Sequence, residues 1–303
     1  MPRFPFRAAL AAALLVAPAA RAQAPAAPEG ARTRHVVVIS IDGLRPDALE
    51  AAGARNLLRF RREGAWAPRA RTILPSLTLP SHTSMLTGVG PEVHGILWND
   101  DQTGRTGPVG VPTVFDLAGA RGLATAGFFG KPKFRHLIRP GSPRWRLAPR
   151  GGDIWQAVRI VEEVEQHLRW RRPNLLFVHL ADPDVAGHVF GWMSPRYRAA
   201  VRRSDAAVGR IVRAAGRALG DDVVFIVTAD HGGVGRRHGA DVPEQVRIPW
   251  IAWGEGVARG EVEGEVVTYD TAATALWLLG VAIPEDWAGK PVRGAFEAAV
   301  GGR

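Results

Sequence analysis

The sequence predicts an α/β domain with a mostly parallel sheet covered by helices on both faces, and two observations carry that prediction. Three short runs are continuously apolar and rich in β-branched residues: HVVVISI (35–41), NLLFVHL (174–180) and DVVFIVTA (222–229). Strands with one wet face alternate apolar and polar residues, so unbroken apolarity marks strands covered on both sides, as in a parallel sheet between helices. Between these runs lie segments with apolar residues at three- and four-residue spacing, the period of amphipathic helices. Strand, helix, strand in this order is an α/β pattern.

Taken in chain order, residues 1–22 combine Arg3 and Arg7, an Ala/Leu-rich run and the small-x-small triplet Ala20-Arg21-Ala22. The run is shorter than the roughly 20 apolar residues of a membrane span, and the pattern reads as a cleavable secretory signal with cleavage after Ala22. The expectation is an exported protein, periplasmic or secreted, with no transmembrane segment in the mature chain. Residues 23–33 are Pro/Ala-rich and read as a flexible linker. Residues 34–303 form one domain, long enough to bury a substantial core. Helices are expected over PDALEAAGARNLLRFRREG, over DIWQAVRIVEEVEQHLRW with Asp153 as N-cap, and over SPRYRAAVRRSDAAVGRIVRAAGRALG with Gly220 as C-cap.

Composition removes several classes of function. There is no cysteine, hence no disulfide, thiolate metal site or cysteine nucleophile. The formal charge of +10 comes mostly from arginine, the only lysines being Lys131, Lys133 and Lys290. Such a charge can steer anionic substrates. The arginines are scattered without aromatic interleaving, so there is no nucleic-acid recognition motif; most read as solvated surface.

Each of the three strands runs directly into acidic or histidine residues. The first leads into Asp42, the second into Asp182, Asp184 and His188, and the third into Asp230, His231 and His238. Sites in open α/β sheets form outside the carboxyl ends of strands. Any one of these residues is as readily a helix cap or a satisfied polar group. Together, Asp42, Asp184, Asp230, His188, His231 and His238 offer oxygen and nitrogen donors without sulfur, enough for two zinc-like ions. The glycines of DHGG and HG are expected to permit close backbone approach. Asp47 and Asp182 read as caps or partners of the ligands. His35 and His136 read as structural, and His167 as solvent-facing.

The remaining signal is TILPSLTLPSHTSMLTG (72–88), rich in hydroxyls, with Pro75 and Pro80 keeping its first half out of regular helix. With VVVISIDGLRPDAL, GPEVHGILWN, DPDVAGHVFG, VTADHGG and RHGADVPEQVRIPWIAWGEGV, in this order, it resembles the alkaline phosphatase superfamily, and within it the nucleotide pyrophosphatase/phosphodiesterase branch. The resemblance runs from about Val36 to about Pro291. It implies an alkaline-phosphatase-like three-layer sandwich and a catalytic domain over 34–303. It also implies a nucleophilic threonine at Thr78, an asparagine contacting the phosphoryl oxygen at Asn99, one ion on Asp42, Asp230, His231 and the Thr78 oxygen, and another on Asp184, His188 and His238. Two divalent ions, zinc or else manganese, would activate the hydroxyl and clamp an in-line displacement. A phospho-threonine intermediate would follow, and the substrate would be a small phosphate ester or diester. Thr78 would sit at a helix start whose amides favour an anion. Ser81, Thr83 and Ser84 would then cap that helix, Thr87 would close it, and His82 would be structural.

Three neighbouring readings are set against this one. Sulfatases of the superfamily need a cysteine or serine converted to formylglycine, which threonine cannot become. Phosphomonoesterases match a dianion with positive side chains, whereas Asn99 is neutral, so a diesterase is expected and a monoesterase is the alternative. Of another class altogether would be a non-catalytic metal-containing binding protein. Nucleotide-specific members place aromatics where this chain has Leu79 and His179, which weakens base stacking. The short spacing from DHGG to His238 implies that no specificity insertion is present, hence an open and permissive site.

Overall fold

In the computed structural model, residues 31–296 are described; the expected signal and most of the expected linker lie outside them. The strands are β1 His35–Ile41, β2 Ala65–Trp66, β3 Ala70–Arg71, β4 Thr125–Phe128, β5 Trp145–Leu147, β6 Leu175–Leu180, β7 Val223–Thr228, β8 Trp250–Gly254, β9 Gly260–Glu261 and β10 Val266–Val267. The helices up to the middle of the chain are α1 Ala48–Ala52, α2 Arg55–Glu63, α3 Thr78–Thr87, α4 Pro91–His94, α5 Thr103–Thr106 and α6 Val114–Ala120. Beyond it come α7 Ala157–Trp170, α8 Asp182–Phe190, α9 Pro195–Leu219, α10 Pro243–Val246 and α11 Asp270–Leu278.

Eight strands form one sheet in the order β5-β4-β6-β1-β7-β8-β2-β9. The first five are mutually parallel, β8 runs antiparallel to β7, and β2 is antiparallel to β8. β1 sits at the centre, and every residue of β1, β6 and β7 is buried, the burial that their unbroken apolarity predicts. One layer is built around α9, which packs on α1, α2, α7 and α8; the other brings α3, α6 and α11 together. The result is the expected three-layer α/β sandwich. Among the described residues no helix is long and apolar enough to cross a membrane.

Several local expectations change. The segment after Pro46 is two helices, split where Gly53 adopts φ 64°. Asp153 does not cap α7: its N-cap is Gln156, and the Ala157 amide donates to Asp182 Oδ2 at 2.7 Å. The carboxylate at the start of α8 thus satisfies the orphan donor of another helix. His167 is half-buried, its ring edge-on to Phe128 and Trp145, because the apolar stripe of α7 includes it. Ser194 and Gly220 do bound α9. Packing starts slightly upstream of Arg34, since the amides of Arg32 and Thr33 donate to Leu278 O.

Candidate active site

Parallel pairing sets β6, β1 and β7 side by side in register, so their carboxyl ends deliver their following residues to one edge. The turn after β1 is held by Gly43 at φ 69°, where an added Cβ would lie 3.0 Å from Asp184 Cα. Only glycine permits that conformation and that approach at low cost. Its amide donates to Asp230 Oδ1 at 3.0 Å, tying the ends of β1 and β7 together. The two glycines after His231 have packing reasons: a Cβ on Gly232 would meet Glu244 O at 2.1 Å, and one on Gly233 the Trp192 ring at 2.2 Å.

The structure brings all six predicted carboxylates and imidazoles together. Asp42, Asp230 and His231 present donor atoms within 4.8 Å of one another, as do Asp184, His231 and His238. His188 Nε2 lies 3.3 Å from Asp184 Oδ1 and 3.1 Å from His238 Nε2. Each of the three histidines commits Nδ1 to a backbone carbonyl: His231 to Gly232, His188 to Arg236, and His238 to Ser76. A carbonyl accepts, so each Nδ1 carries the proton and each Nε2 lone pair faces the site. Two such lone pairs only 3.1 Å apart repel unless a cation lies between them.

The carboxylates point the same way. Asp42 Oδ1, Asp184 Oδ1 and Asp230 Oδ2 are buried side-chain oxygens without a hydrogen-bond partner among the described residues, a costly arrangement unless a cation is bound. Burial alone would raise Asp42, but Lys131, then His179 and His231, hold its carboxyl well below the usual carboxylate range. Burial and Asp42 likewise raise Asp184, and Lys131 with His188 brings it below that range. Burial lowers His238 to about 4, leaving a neutral, ligand-ready imidazole at neutral pH. Proximity to the Asp184 carboxylate raises His188. Oxygen and nitrogen donors in two overlapping sets are groups that could hold metal ions.

Thr78 opens α3, is 1% exposed, and sets its Oγ1 3.2 Å from His231 Nε2. The helix start is less rich in donors than the sequence suggests. Pro80 has no amide hydrogen, and the Leu79 amide already donates to Asn99 Oδ1 at 2.9 Å, so the Thr78 amide is the one left for an anion. The neighbouring hydroxyls do not cap: Thr83 and Thr87 bond back to carbonyls one turn earlier, and Ser81 donates to Asp230 O. His82 is fully buried, with Nδ1 2.8 Å from Thr78 O and Nε2 2.8 Å from Ser40 Oγ, a positioning contact.

Three residues at the site escaped the sequence reading. His179, noted there only as a missing aromatic, accepts the Gly130 amide on Nδ1 and so donates from Nε2 to Asp42 Oδ2 at 2.9 Å. Lys131 lies buried with its Nζ 2.6 Å from Asp42 Oδ2 and 2.5 Å from Asp184 Oδ2. Burial lowers its pKa, but these two carboxylates more than reverse that and keep it cationic. Lys133 donates to Asn99 Oδ1 at 3.0 Å, which leaves the Asn99 NH2 as that side chain's free donor. Both lysines follow β4, a short strand whose sequence TAGF gives little apolar signal. Two of only three lysines among 39 basic residues, two positions apart, were the available clue.

Thr78, Asn99, Lys131, Lys133, Asp184 and His238 line part of one cleft of about 340 Å³. The type I phosphodiesterase/nucleotide pyrophosphatase family model matches residues 36–237, more than half of the chain. The chain belongs to this family. Among relatives of this phosphodiesterase family, an uncharacterized pyrophosphatase/phosphodiesterase of Schizosaccharomyces pombe is 27% identical over 226 residues, 65% of this chain and 44% of that protein. The chain spans less than half the length of the curated relatives it matches. Murine ectonucleotide pyrophosphatase/phosphodiesterase 5 shares the fold at TM-score 0.70 and 17% identity, covering 84% of this chain and 97% of that one. A mutant of the alkaline phosphatase PafA does so at TM-score 0.73 and 13% identity, covering 90% and 100%. The predicted superfamily and its phosphodiesterase branch therefore hold.

Proposed function

We propose that this phosphodiesterase-family chain is an exported, metal-dependent hydrolase of small phosphate esters, with Thr78 as the group that takes the phosphoryl unit. The observation that carries the reading is the position of the buried Thr78 Oγ1, 3.2 Å from His231 Nε2 and beside three carboxylates that each keep an unpartnered oxygen. Asp42, Asp230, His231 and Thr78 would hold one ion; Asp184, His188 and His238 would hold the other. When bound, such ions lower the pKa of a hydroxyl and neutralise phosphoryl charge. The rest is work for the chain. His179 fixes the orientation of Asp42, the Thr78 amide and the Asn99 NH2 donate to phosphoryl oxygens, and the start of α3 favours the anion.

Family membership favours a diester substrate. A base-stacking nucleotide site is not supported, since Leu79 is fully buried, His179 is turned onto Asp42, and among the described residues no Phe, Tyr or Trp lines the cleft. The discriminating measurement is hydrolysis of bis(4-nitrophenyl) phosphate against 4-nitrophenyl phosphate, with and without a chelator. A diester rate well above the monoester rate, lost with chelator and restored by zinc, supports the reading; chelator-resistant hydrolysis sinks it.

Monoester hydrolysis is the second reading, favoured by Lys131 and Lys133 lining the cleft, because two ammonium groups match a dianion better than a diester's single charge. Burial, and then Lys131, lower Lys133 to about 8. Its charge is therefore present below that pH and lost above it. If Lys133 holds a dianionic phosphate, KM for the monoester should rise several-fold between pH 7 and 9, with Lys133→Met flattening the profile. A profile identical in the variant excludes Lys133 from binding.

A further inference from the structure

The cleft that includes Thr78 is lined by two unlike sets of side chains: Asn99, Lys131 and Lys133 are polar, and Ile154, Val185 and Val189 are apolar. The three apolar side chains are 49%, 36% and 52% exposed, and Phe190 next to them is 50% exposed. The geometry of α8 explains how they reach the site. Asp184 and His188 form one i,i+4 stripe of this helix, and Val185 with Val189 forms the adjacent one, rotated by a single residue. The stripe that offers donors to the ions is thus bordered by an apolar one. Exposed valines cost a short helix some propensity and bury little in return. A second, smaller cleft of about 190 Å³ shares Ile154 and Val185 and adds Phe190, so the apolar strip continues outward.

Thr78, 1% exposed, is the floor of the cleft, and the valines and Ile154 are its rim. In-line displacement sends the leaving oxygen to the side of phosphorus opposite the attacking one. An attack from the floor therefore directs the leaving alcohol outward, toward the rim. We infer that Ile154, Val185 and Val189 form a subsite for the alcohol portion of the phosphate ester, and that this alcohol is an apolar aryl or alkyl group. The inference rests on the proposed function and narrows the expectation of a permissive site: the exposed part of its lining is largely apolar.

Binding can test it without turnover. Phenylphosphonate and 2-naphthylphosphonate carry the same anionic group on a P–C bond that cannot be displaced, and differ by one fused ring. Calorimetry on the zinc-loaded protein should show the naphthyl compound binding about tenfold tighter, in the range that small apolar increments produce. In Ile154→Thr/Val185→Thr/Val189→Thr, three changes at exposed positions, the ratio should fall to within about twofold. Equal affinities in the parent, no binding of either compound, or an unchanged ratio in the variant would overturn the subsite. The Thr78 and chelator measurements judge the hydrolytic reading independently.

Discussion

Thr78→Ala should lower hydrolysis of any phosphate ester the protein accepts by at least about a thousand-fold, the scale seen when a nucleophile is removed from a working site. Thr78→Ser, which keeps the hydroxyl, should retain much of the rate. The alanine variant should also stay folded. Among the described residues, the side-chain hydrogen bond made by Thr78 Oγ1 is that to His231, and a single bond of this kind contributes about 1 kcal/mol. Loss of rate at unchanged thermal midpoint therefore isolates chemistry from folding. Parent protein acid-quenched while turning over bis(4-nitrophenyl) phosphate should carry a 4-nitrophenylphosphoryl group on the peptide containing Thr78, one nitrophenol having left, and the alanine variant should carry none. Parent-like turnover by the alanine variant would remove Thr78 from the mechanism, whereas a parent that turns over neither the diester nor the monoester would return the chain to the non-catalytic alternative.

A second large effect is expected at Lys131. Its ammonium lies between Asp42 and Asp184, side chains 0% and 5% exposed. Removing one partner from a buried ion pair leaves uncompensated charge and costs about 3–5 kcal/mol. Lys131→Met should therefore lower the stability of chelator-treated protein by that amount. Zinc should largely restore it, because ions held by Asp42 and Asp184 take over the neutralising role. Competition titration should show zinc binding more tightly to the variant, since Lys131 Nζ and an ion contend for the same two carboxylates. Equal denaturation midpoints of variant and parent in chelator would show that Lys131 does not compensate these groups.

The sequence made most of this arrangement legible, and the reasons differ by element. β1, β6 and β7 were readable because central parallel strands are buried on both faces and so are apolar throughout. Their ends then located Asp42, Asp184 and Asp230. β2 and β9, two residues each, and β4, interrupted by glycine, carry too little pattern to register. Lys131 was hidden with β4, since nothing marked that loop as the fourth contributor to the same edge. Side-chain bonds between distant segments were equally invisible. The cap of α7 comes from Asp182, and the orientation of Asp42 from His179. Local spacing cannot encode such pairs; only the fold brings them together.

The central place of β1 also governs when the site can exist. Val36 pairs with Leu175 on one side and with Val224 on the other. The first strand made is thus completed by two of the later ones, and such non-local pairings slow folding, because chain closure is unfavourable until the partners arrive. Thr78 and Asp42 are synthesised early but acquire their surroundings only when β7 and the residues through His238 have docked. On the proposed function, catalytic competence is a late event in the life of this chain, and a nascent or N-terminal fragment would hold Thr78 without the residues that activate it.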